Sequence, residues 1–515
     1  MDLLTSQDSS QKAGLPSLIE NFSIDGLFGY RSVSLSSKFA ATVLIARNGS
    51  GKTTLLAALD AFLRGQFSRF VGLQFERITC KLRGHDATLI LYRNDVEWLA
   101  EFSASGEIGA RAKGWELQSL ALLELLETDL SDKTYTELID IPTFHTIYSK
   151  SGWDLQRSRT TCERLRQTLD GKNENLDYLR KVLNTVLANI EIVYLPTYRR
   201  IELSLPEADS RRGERRQSVL SRLGVARNGL YTADIQFGLG DISDRLRSMY
   251  SDMLFLSHQG YGKVSANVIN DLISGEYRNE VDGSKVLPSK ESLELFFSRI
   301  KDSDRNEFRP ARYTAMFSIP DLDRVYKGDV PEDAKPFLNY FLDQLDTVIR
   351  QTRGTEDLVQ TFIDKCNKYL SGQDQSTDKY MSTSSQLIDT KKLEFNRRDL
   401  TVKVMSLITE NEVPLESLSS GEKQMISLFA RLYLYPKQKI VLIDEPELSL
   451  SLDWQRQILP DVLRAPTCKQ AVAITHSPFI FDNELQPYAG SLRLKVEKIS
   501  DNLKSAERLI DDQYE

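Results

Sequence analysis

Apolar and polar positions alternate over much of the N-terminal region, and a period of two is typical of β-strands with one buried face. Residues 17–45 contain apolar runs that predict strands. The segments FERITCKL, ATLILYR and VEWLAEF, between about residues 74 and 104, repeat the alternation. We therefore predict strands up to residue 45 and an antiparallel sheet between about 74 and 104.

The pattern becomes helical from Trp115 to about Ile190, where LALLELLE, ERLRQTL and YLRKVLNTVLANI repeat apolar positions at helical spacing. IEIVYLPTYRR (190–200) then predicts a buried strand that ends at Pro196. Residues 205–390 contain further helical segments, among them KESLELFFSRI, PFLNYFLDQLDTVIRQ and DLVQTFIDKCNKYL. No heptad is sustained there, so we expect no long coiled coil. The polar run SGQDQSTDKYMSTSSQ (371–386) predicts a flexible link.

Composition narrows the class of protein. A chain of 515 residues predicts about two to four compact units. The net charge of −7 argues against a broad electrostatic grip on nucleic acid. The four cysteines lie far apart and form no CxxC pair, which disfavours a zinc site or a disulfide framework and fits a reducing cytoplasm. The polar N-terminus and the lack of an apolar run of about 18 residues lead us to expect no signal peptide and no membrane span.

The segment VLIARNGSGKTTLLAAL (Val43–Leu59) predicts a strand, a phosphate-binding loop and a helix. It matches G-x-x-x-x-G-K-[ST], with Ala46 at the first glycine position. Backbone N–H groups of the loop and the N-terminus of the helix would surround the β-phosphate of ATP. The alternative is a chance Gly/Ser turn before an ordinary helix. The predicted ATP-binding residues are Asn48, Gly49, Ser50, Gly51, Lys52, Thr53 and Thr54, with the Thr53 hydroxyl also on Mg²⁺.

Two later segments each place a polar residue where a strand ends. In KIVLIDEPELSLSLDWQ (439–455), Asp444 would hold Mg²⁺ and Glu445 would orient and deprotonate the attacking water. The alternative is an acidic turn at a strand end. In AVAITHSPFIF (471–481), His476 would bind the γ-phosphate and sense its loss, or would be an ordinary structural histidine.

The segment LESLSSGEKQMISLFARLY (415–433) contains a Ser/Gly turn that opens a helix. Its N–H groups offer a second anion site. The alternative is an ordinary helix N-cap, with Ser419 or Ser420 capping and Glu422 in the first turn.

These motifs, in this order, resemble the ABC-type ATPase heads, and within them the SMC-like group. The resemblance rests on the phosphate loop, Leu418–Glu422 as the signature, the DE strand, Asp453 in the D-loop and His476 as the switch histidine. It implies an α/β fold: an ABC-type P-loop ATPase head with a mixed sheet, an antiparallel β subdomain, a helical lobe and a compact, mainly helical insertion. The implied domains are 1–204 and 391–515 for the two parts of the head and 205–390 for the insertion.

The resemblance also implies an ATPase that uses ATP and Mg²⁺, with turnover that can be slow. It implies a homodimer or higher oligomer in which ATP on Lys52 of one subunit is closed over by the signature of another. The residues of that second face are Ser419, Ser420, Gly421 and Asp453. The pattern departs from the family at Ala46, at Ser420 and at the Q-loop glutamine, where YLPTYRR offers Thr197, Tyr198 and Arg199. Arg199 would contact phosphate or only pair with carboxylates.

The chain most resembles the PtuA family, the ATPases of Septu-type and retron-associated antiphage systems. Three strings carry this resemblance: YLPTYRRIE, FGLGDI (237–242) and LSLDWQ. That resemblance implies an HNH nuclease partner (PtuB-like) and, in retron systems, a reverse transcriptase with its RNA–DNA hybrid. The basic cluster RRGERR (211–216) would touch nucleic acid or be a solvated loop face. Two other functions stay open: a DNA-repair or recombination ATPase that binds DNA itself, and a nucleotide-locked scaffold with little turnover.

Overall fold

The computed structural model describes residues 9–47, 49–128, 130, 135–139, 141–196, 230, 239–275, 287–303, 319–371, 390–414 and 417–496. Contacts divide the chain into two compact units. The first comprises Met1–Gln236 and Lys437–Glu515, and the second comprises Phe237–Pro436. Each unit is described by itself below.

A five-stranded parallel sheet in the first unit carries the strands that precede the predicted motifs. In spatial order its strands are β12 (Ala489–Ser491), β3 (Ala41–Ile45), β11 (Cys468–Thr475), β10 (Gln438–Asp444) and β6 (Ile190–Leu195). All four neighbouring pairs are parallel. β10 and β11 are buried at nearly every position, which explains their continuous apolar sequences.

The second sheet of this unit is antiparallel, as predicted. In spatial order its strands are β13 (Arg493–Val496), β2 (Arg31–Ser36), β1 (Ile19–Leu27), β4 (Arg77–Leu82) and β5 (Leu89–Tyr92). The strands predicted within residues 17–45 and in FERITCKL and ATLILYR are therefore confirmed. The predicted α/β class, with parallel and antiparallel sheets, is also confirmed.

The strand predicted for VEWLAEF is wrong, because this segment lies in helix α3 (Arg93–Ser105). Val96 and Leu99 are both buried, and a spacing of three places them on one face of a helix. The Asp95 carboxylate accepts a hydrogen bond from the Tyr92 backbone N–H at 3.2 Å, which satisfies a donor at the start of the helix. The apparent alternation therefore hid a helical face with a cap.

All but the first and the last of the described helices of this unit share one apolar core with the two sheets. The helices of the unit are α1 (Ser9–Ala13), α2 (Lys52–Leu63), α3, α4 (Glu107–Gly114), α5 (Ser119–Glu127), α6 (Tyr135–Ile139), α7 (Pro142–Lys150), α8 (Leu155–Gln167), α9 (Glu174–Val186) and α15 (Leu452–Arg464). The helical region predicted between Trp115 and about Ile190 is thus confirmed.

One carboxylate inside this core is neutralised by two arginines. Asp60 of α2 is buried and lies 2.6 Å from Arg64 Nε and 2.7 Å from Arg69 Nη1. Burial alone would raise the pKa of Asp60, but the two guanidinium groups lower it below its usual value. The helix that follows the phosphate loop is therefore anchored by ionic as well as apolar contacts.

The described residues of the second unit form five helices. They are α10 (Leu239–Ser274), α11 (Lys290–Ser303), α12 (Leu322–Tyr326), α13 (Lys335–Leu370) and α14 (Ser420–Leu434). The two separately predicted segments PFLNYFLDQLDTVIRQ and DLVQTFIDKCNKYL form the single helix α13. Buried positions continue on one face through the weak helix formers between them, so packing outweighs local propensity.

α10 and α13 have 36 residues each and run antiparallel. The Tyr340 hydroxyl, near the start of α13, donates to Asp271 Oδ2, near the end of α10, at 2.6 Å. Further along, Gly260 lies against Val348 so closely that a Cβ at Gly260 would come within 2.4 Å of the valine side chain. Gly260 is therefore required by the packing of this helix pair.

A small antiparallel sheet, β7 (Lys391–Asn396), β8 (Thr401–Ser406) and β9 (Glu412–Val413), completes the second unit. The Asn367 side chain on α13 donates to Leu393 O and accepts from Leu393 N, at 2.9 and 2.6 Å. Because α13 also packs on α14, residues 391–436 cluster with the helices. This division differs from the predicted boundaries at 204 and 390.

Some predicted features lie outside the described residues: Asn48, residues 197–200 with the Q-loop candidates, RRGERR, FGLGDI before Leu239, and the link 371–386 after Ser371. Within the described ranges, no helix combines the length and apolarity that crossing a membrane requires.

Candidate functional site

The predicted site residues of the first unit meet at one edge of its parallel sheet. In the register of the sheet, Thr475 pairs with Ile45 and Ile474 pairs with Asp444. β3, β10 and β11 therefore end side by side, and the residues that follow them come together. In open α/β sheets this carboxyl edge is where ligands bind.

The phosphate loop runs from the end of β3 to the start of α2. Gly49 and Gly51 have φ of 76° and 84°, a left-handed conformation that glycine adopts without strain. No side chain caps α2, and its first turn contains no acidic residue. Without a side-chain cap or an acidic residue, the N-terminus of this helix suits an anion.

Arg31, which the sequence analysis did not single out, supports the loop from outside. Its Nη1 donates to the carbonyl oxygen of Gly49 at 2.9 Å. The guanidinium also lies over the rings of Phe28 and Tyr30, at 4.8 and 5.5 Å from their centroids. These contacts hold Arg31 beside the loop, although no motif in the sequence marks it.

The Lys52 ammonium group is held by the two predicted catalytic side chains. Its Nζ donates to Glu445 Oε1 and to His476 Nε2. Because an ammonium group only donates, Nε2 is the acceptor, and a neutral His476 then carries its proton on Nδ1. His476 Nε2 and Glu445 Oε1 are 3.4 Å apart. Three residues from distant parts of the chain thus form one cluster.

Thr53 and Asp444 form the oxygen-rich side of the site. The Thr53 hydroxyl donates to Asp444 Oδ2 at 2.6 Å, and Asp444 is fully buried. Hydroxyl and carboxylate oxygens are hard ligands of the kind that Mg²⁺ prefers. These are the two residues that the sequence predicts as metal ligands, and that role stays a prediction.

Glu445 has a backbone conformation that is unusual for its residue type. Its φ is 52°, in the left-handed region, where a residue other than glycine is strained by about 1–3 kcal/mol. The Glu445 N–H donates to Ile474 O at 2.8 Å, so the neighbouring strand maintains this turn. Such strain is concentrated at functional sites.

Glu447 orients the turn that carries His476, and the sequence analysis missed it. Its Oε1 accepts from the backbone N–H of His476 at 2.8 Å and of Ser477 at 3.3 Å, while Oε2 accepts from the Thr475 hydroxyl at 2.8 Å. Gln455 accepts from the Ser477 hydroxyl at 2.7 Å. The sequence offers one signal for Glu447: it is a third acidic residue in DEPE (444–447), for which no role was predicted.

The signature residues Ser419, Ser420 and Gly421 lie in the second unit. Ser419 Oγ accepts from the Glu422 N–H at 3.3 Å, and Glu422 Oε2 accepts from the Ser419 N–H at 2.6 Å. This is the capping box that the sequence left open as the alternative. The Ser419 hydroxyl still has its hydrogen available to donate. Asp453 lies in the first turn of α15, in the first unit.

The described residues fit ATP with Mg²⁺. Ser50 Oγ is buried and has no hydrogen-bond partner among them, so a polar ligand at the loop would satisfy it. A Cβ at Gly49 would meet no atom within 4 Å, so there is space beside the loop. The uncapped N–H groups and Lys52 suit phosphate oxygens, and Thr53 with Asp444 suits the metal ion.

Comparison with known proteins identifies the family. The family described as AAA ATPase domain matches residues 18–481, which is most of the chain. The chain belongs to the AAA ATPase domain family. Membership supports ATP binding and ATPase activity in general, with Mg²⁺ as the ion that such sites typically use. The matched range includes every motif discussed above.

This AAA ATPase chain also matches a solved structure described as "Crystal structure of the SmcHead bound to the C-winged helix domain of ScpA". The two are 14% identical, and the match covers 32% of this chain with a TM-score of 0.19. The chain spans about half of that structure's length, 48%. No match was found among curated proteins.

Proposed function

We propose that this chain is an SMC-like ATPase subunit of an antiphage defence system of the Septu or retron type. It would hydrolyse ATP to ADP and phosphate and control a separate HNH nuclease through ATP-dependent assembly. The observation that carries the ATPase part is the cluster of Lys52, Glu445 and His476, with the Thr53–Asp444 pair beside it.

Each side chain of the cluster has a role in this proposal. When bound, ATP with Mg²⁺ supplies the phosphoryl group to be transferred and a counter-charge to its oxygens. Lys52 would exchange the Glu445 carboxylate for phosphate oxygens, and Thr53 and Asp444 would hold the metal ion. Released from Lys52, Glu445 accepts a proton from the attacking water. His476, also released, would donate a hydrogen bond to the γ-phosphate from Nε2, in the neutral tautomer that carries its proton on that nitrogen.

The second face of the site would come from another subunit. Ser419, Ser420 and Gly421 present a helix N-terminus and a hydroxyl donor, which suit an anion. We propose that they close over ATP bound to Lys52 of a second copy, together with Asp453. ATP would then join two subunits, and hydrolysis would release them.

The partners and the defence role rest on the resemblance of YLPTYRRIE, FGLGDI and LSLDWQ to the PtuA family. On that basis an HNH nuclease of PtuB type, and in retron systems a reverse transcriptase with its RNA–DNA hybrid, would bind this chain. The net charge of −7 disfavours an ATPase that grips duplex DNA by itself.

A nucleotide-locked scaffold with little turnover is a second candidate, and one observation favours it. The proposed base, Glu445, is paired with Lys52, and while this contact lasts it does not accept a proton from water, which favours low turnover. A measured hydrolysis rate separates the two functions. Turnover that depends on Glu445 supports the enzyme, whereas stable assembly without phosphate release supports the scaffold.

Co-purification tests the wider proposal. The tagged chain is expressed from its native operon, purified at low ionic strength, and its bound proteins and nucleic acids are identified by mass spectrometry and sequencing. An HNH nuclease that depends on ATP for its association supports the proposal. Recovery of the chain with duplex DNA alone, lost as the salt concentration rises, would support a DNA-binding ATPase instead.

A further inference from the structure

The long helix α10 carries a stripe of apolar side chains that the fold of its own unit does not use. Its buried face, which includes Met253, Val264 and Val268, packs into the core of the second unit. On the opposite face, the large apolar side chains are exposed. They are Phe255, Leu256, Ile269, Leu272 and Ile273.

The stripe has the spacing of a helix–helix seam. Phe255, Gln259, Gly262, Ala266, Ile269 and Ile273 follow one another at alternating intervals of four and three residues. This alternation is the a/d repeat by which one helix packs along another. All six positions are exposed in the monomer.

We propose that this stripe pairs with the same stripe of a second copy, with the two helices antiparallel and the two-fold axis level with Val264. In that register Phe255 of each copy faces Ile273 of the other, while Leu256 and Leu272 flank the seam on opposite sides. Gly262 faces Ala266 at the centre. Phe255 thus meets Ile273 at both ends, and Gln259 meets Ile269 on either side of the centre; each contact occurs twice, as a two-fold interface requires.

Gly262 supports a close approach at the centre of the seam. A glycine inside a helix is destabilising relative to alanine, so it needs a structural reason. At Gly260 that reason is Val348 of the same chain, whereas a Cβ at Gly262 would meet no atom within 4 Å. A second helix lying over Gly262 explains the absence of a side chain there, since small residues reduce the distance between helix axes.

The exposed apolar area is close to what a stable dimer needs. The five large side chains are 66%, 43%, 57%, 47% and 80% exposed in chain order, about three whole side chains per copy. At about 120–150 Å² each, two copies would bury roughly 800 Å² of apolar surface. With the flanking polar groups of α10, the total reaches the ~1,000 Å² expected of a specific interface.

This interface is independent of the proposed ATP site, because it needs no nucleotide. The test is therefore made without nucleotide, on the full chain, by light scattering coupled to gel filtration and by sedimentation equilibrium. We expect a dimer at micromolar concentration. Phe255→Glu and Ile273→Lys should each raise the dissociation constant at least about 100-fold, since each places a charge against an apolar side chain.

The double variant Phe255→Glu/Ile273→Lys tests the antiparallel register. Each new glutamate would face a new lysine of the other copy, so association should return to within about tenfold of the original, and the restored dimer should weaken with salt. In a parallel pair, like charges would meet and association would not return. Leu358→Glu, at an exposed leucine of α13, is the control and should leave the dimer intact.

Gly262→Gln gives a readout that a folding defect cannot imitate. It should stabilise the helix in thermal melts monitored by circular dichroism and weaken the dimer. Four outcomes would overturn the proposal: a nucleotide-free monomer at tens of micromolar, dimers unaffected by the single substitutions, no rescue in the double variant, or a Gly262→Gln dimer as tight as the original.

Discussion

Replacing Glu445 by glutamine should change nucleotide binding and hydrolysis in opposite directions. We expect tighter binding and slower hydrolysis. The substitution keeps the size of the side chain and its hydrogen bond to Lys52, but it removes the negative charge. In the structure, Lys52 is paired with this carboxylate and bonded to His476. Nucleotide has to break the ion pair between Lys52 and Glu445 before Lys52 can bind phosphate. A neutral side chain at position 445 holds Lys52 less strongly, so phosphate should displace it more easily.

The size of the effect follows from the burial and the charge of the pair. The side chains of Lys52 and Glu445 are only 10% and 15% exposed, so water screens their attraction weakly. A hydrogen bond between charged groups contributes about 1.5–3 kcal/mol, and a neutral one about 0.5–1.5 kcal/mol. The difference of about 1.4 kcal/mol predicts a Kd for nucleotide that is about tenfold lower. Loss of the general base predicts hydrolysis slower by about 10²–10⁴-fold.

The assay measures binding with a non-hydrolysable ATP analogue by calorimetry in the presence of Mg²⁺, and hydrolysis by phosphate release. Glu97→Gln is the matched control, because Glu97 forms a surface ion pair with Arg93 on α3, away from the phosphate loop. The control should change neither quantity. The reasoning is refuted if Glu445→Gln binds the analogue more weakly than the original, or if it hydrolyses ATP at an undiminished rate.

Three further predictions concern single groups. Lys52→Ala should abolish detectable nucleotide binding in calorimetry at millimolar ATP, and retained micromolar affinity would exclude the phosphate-loop role. Glu447→Ala should lower the unfolding free energy by about 1–3 kcal/mol in a denaturant titration, because it removes the acceptor of the His476 N–H and of the buried Thr475 hydroxyl; it should also reduce kcat more than it changes KM. Burial raises the pKa of Cys162 and of Cys468 to about 12, so at pH 8 the reactive thiolate should be about 10⁻⁴ of each thiol, and maleimide should label them only after unfolding.

Much of the candidate site was predictable because its residues lie directly after strands of a parallel sheet. Asp444, Glu445 and His476 follow apolar runs, and the carboxyl ends of such strands meet at one edge. Lys52 was predictable from the glycines around it. Glu447 and Arg31 were not, since each acts through backbone groups of another segment, and the sequence contains no record of that partner.

The errors in the fold have a similar origin. VEWLAEF alternates like a strand, but a cap at Asp95 and a buried face through Val96 and Leu99 make it helical. The length of α13 was missed because glycine and threonine interrupt its local pattern, whereas one continuous buried face maintains the helix. In both cases contacts with distant residues outweigh local preference.

The central claim is that one chain supplies the phosphate loop and another supplies the signature of the same ATP site. Subunits with Lys52→Ala cannot bind ATP, and subunits with Ser419→Arg cannot close over it, so neither should hydrolyse ATP alone. Mixed in equal amounts, half of the dimers contain one intact composite site, and the mixture should recover about a quarter of the original activity. Full activity of Ser419→Arg by itself, or no recovery on mixing, would contradict the shared site.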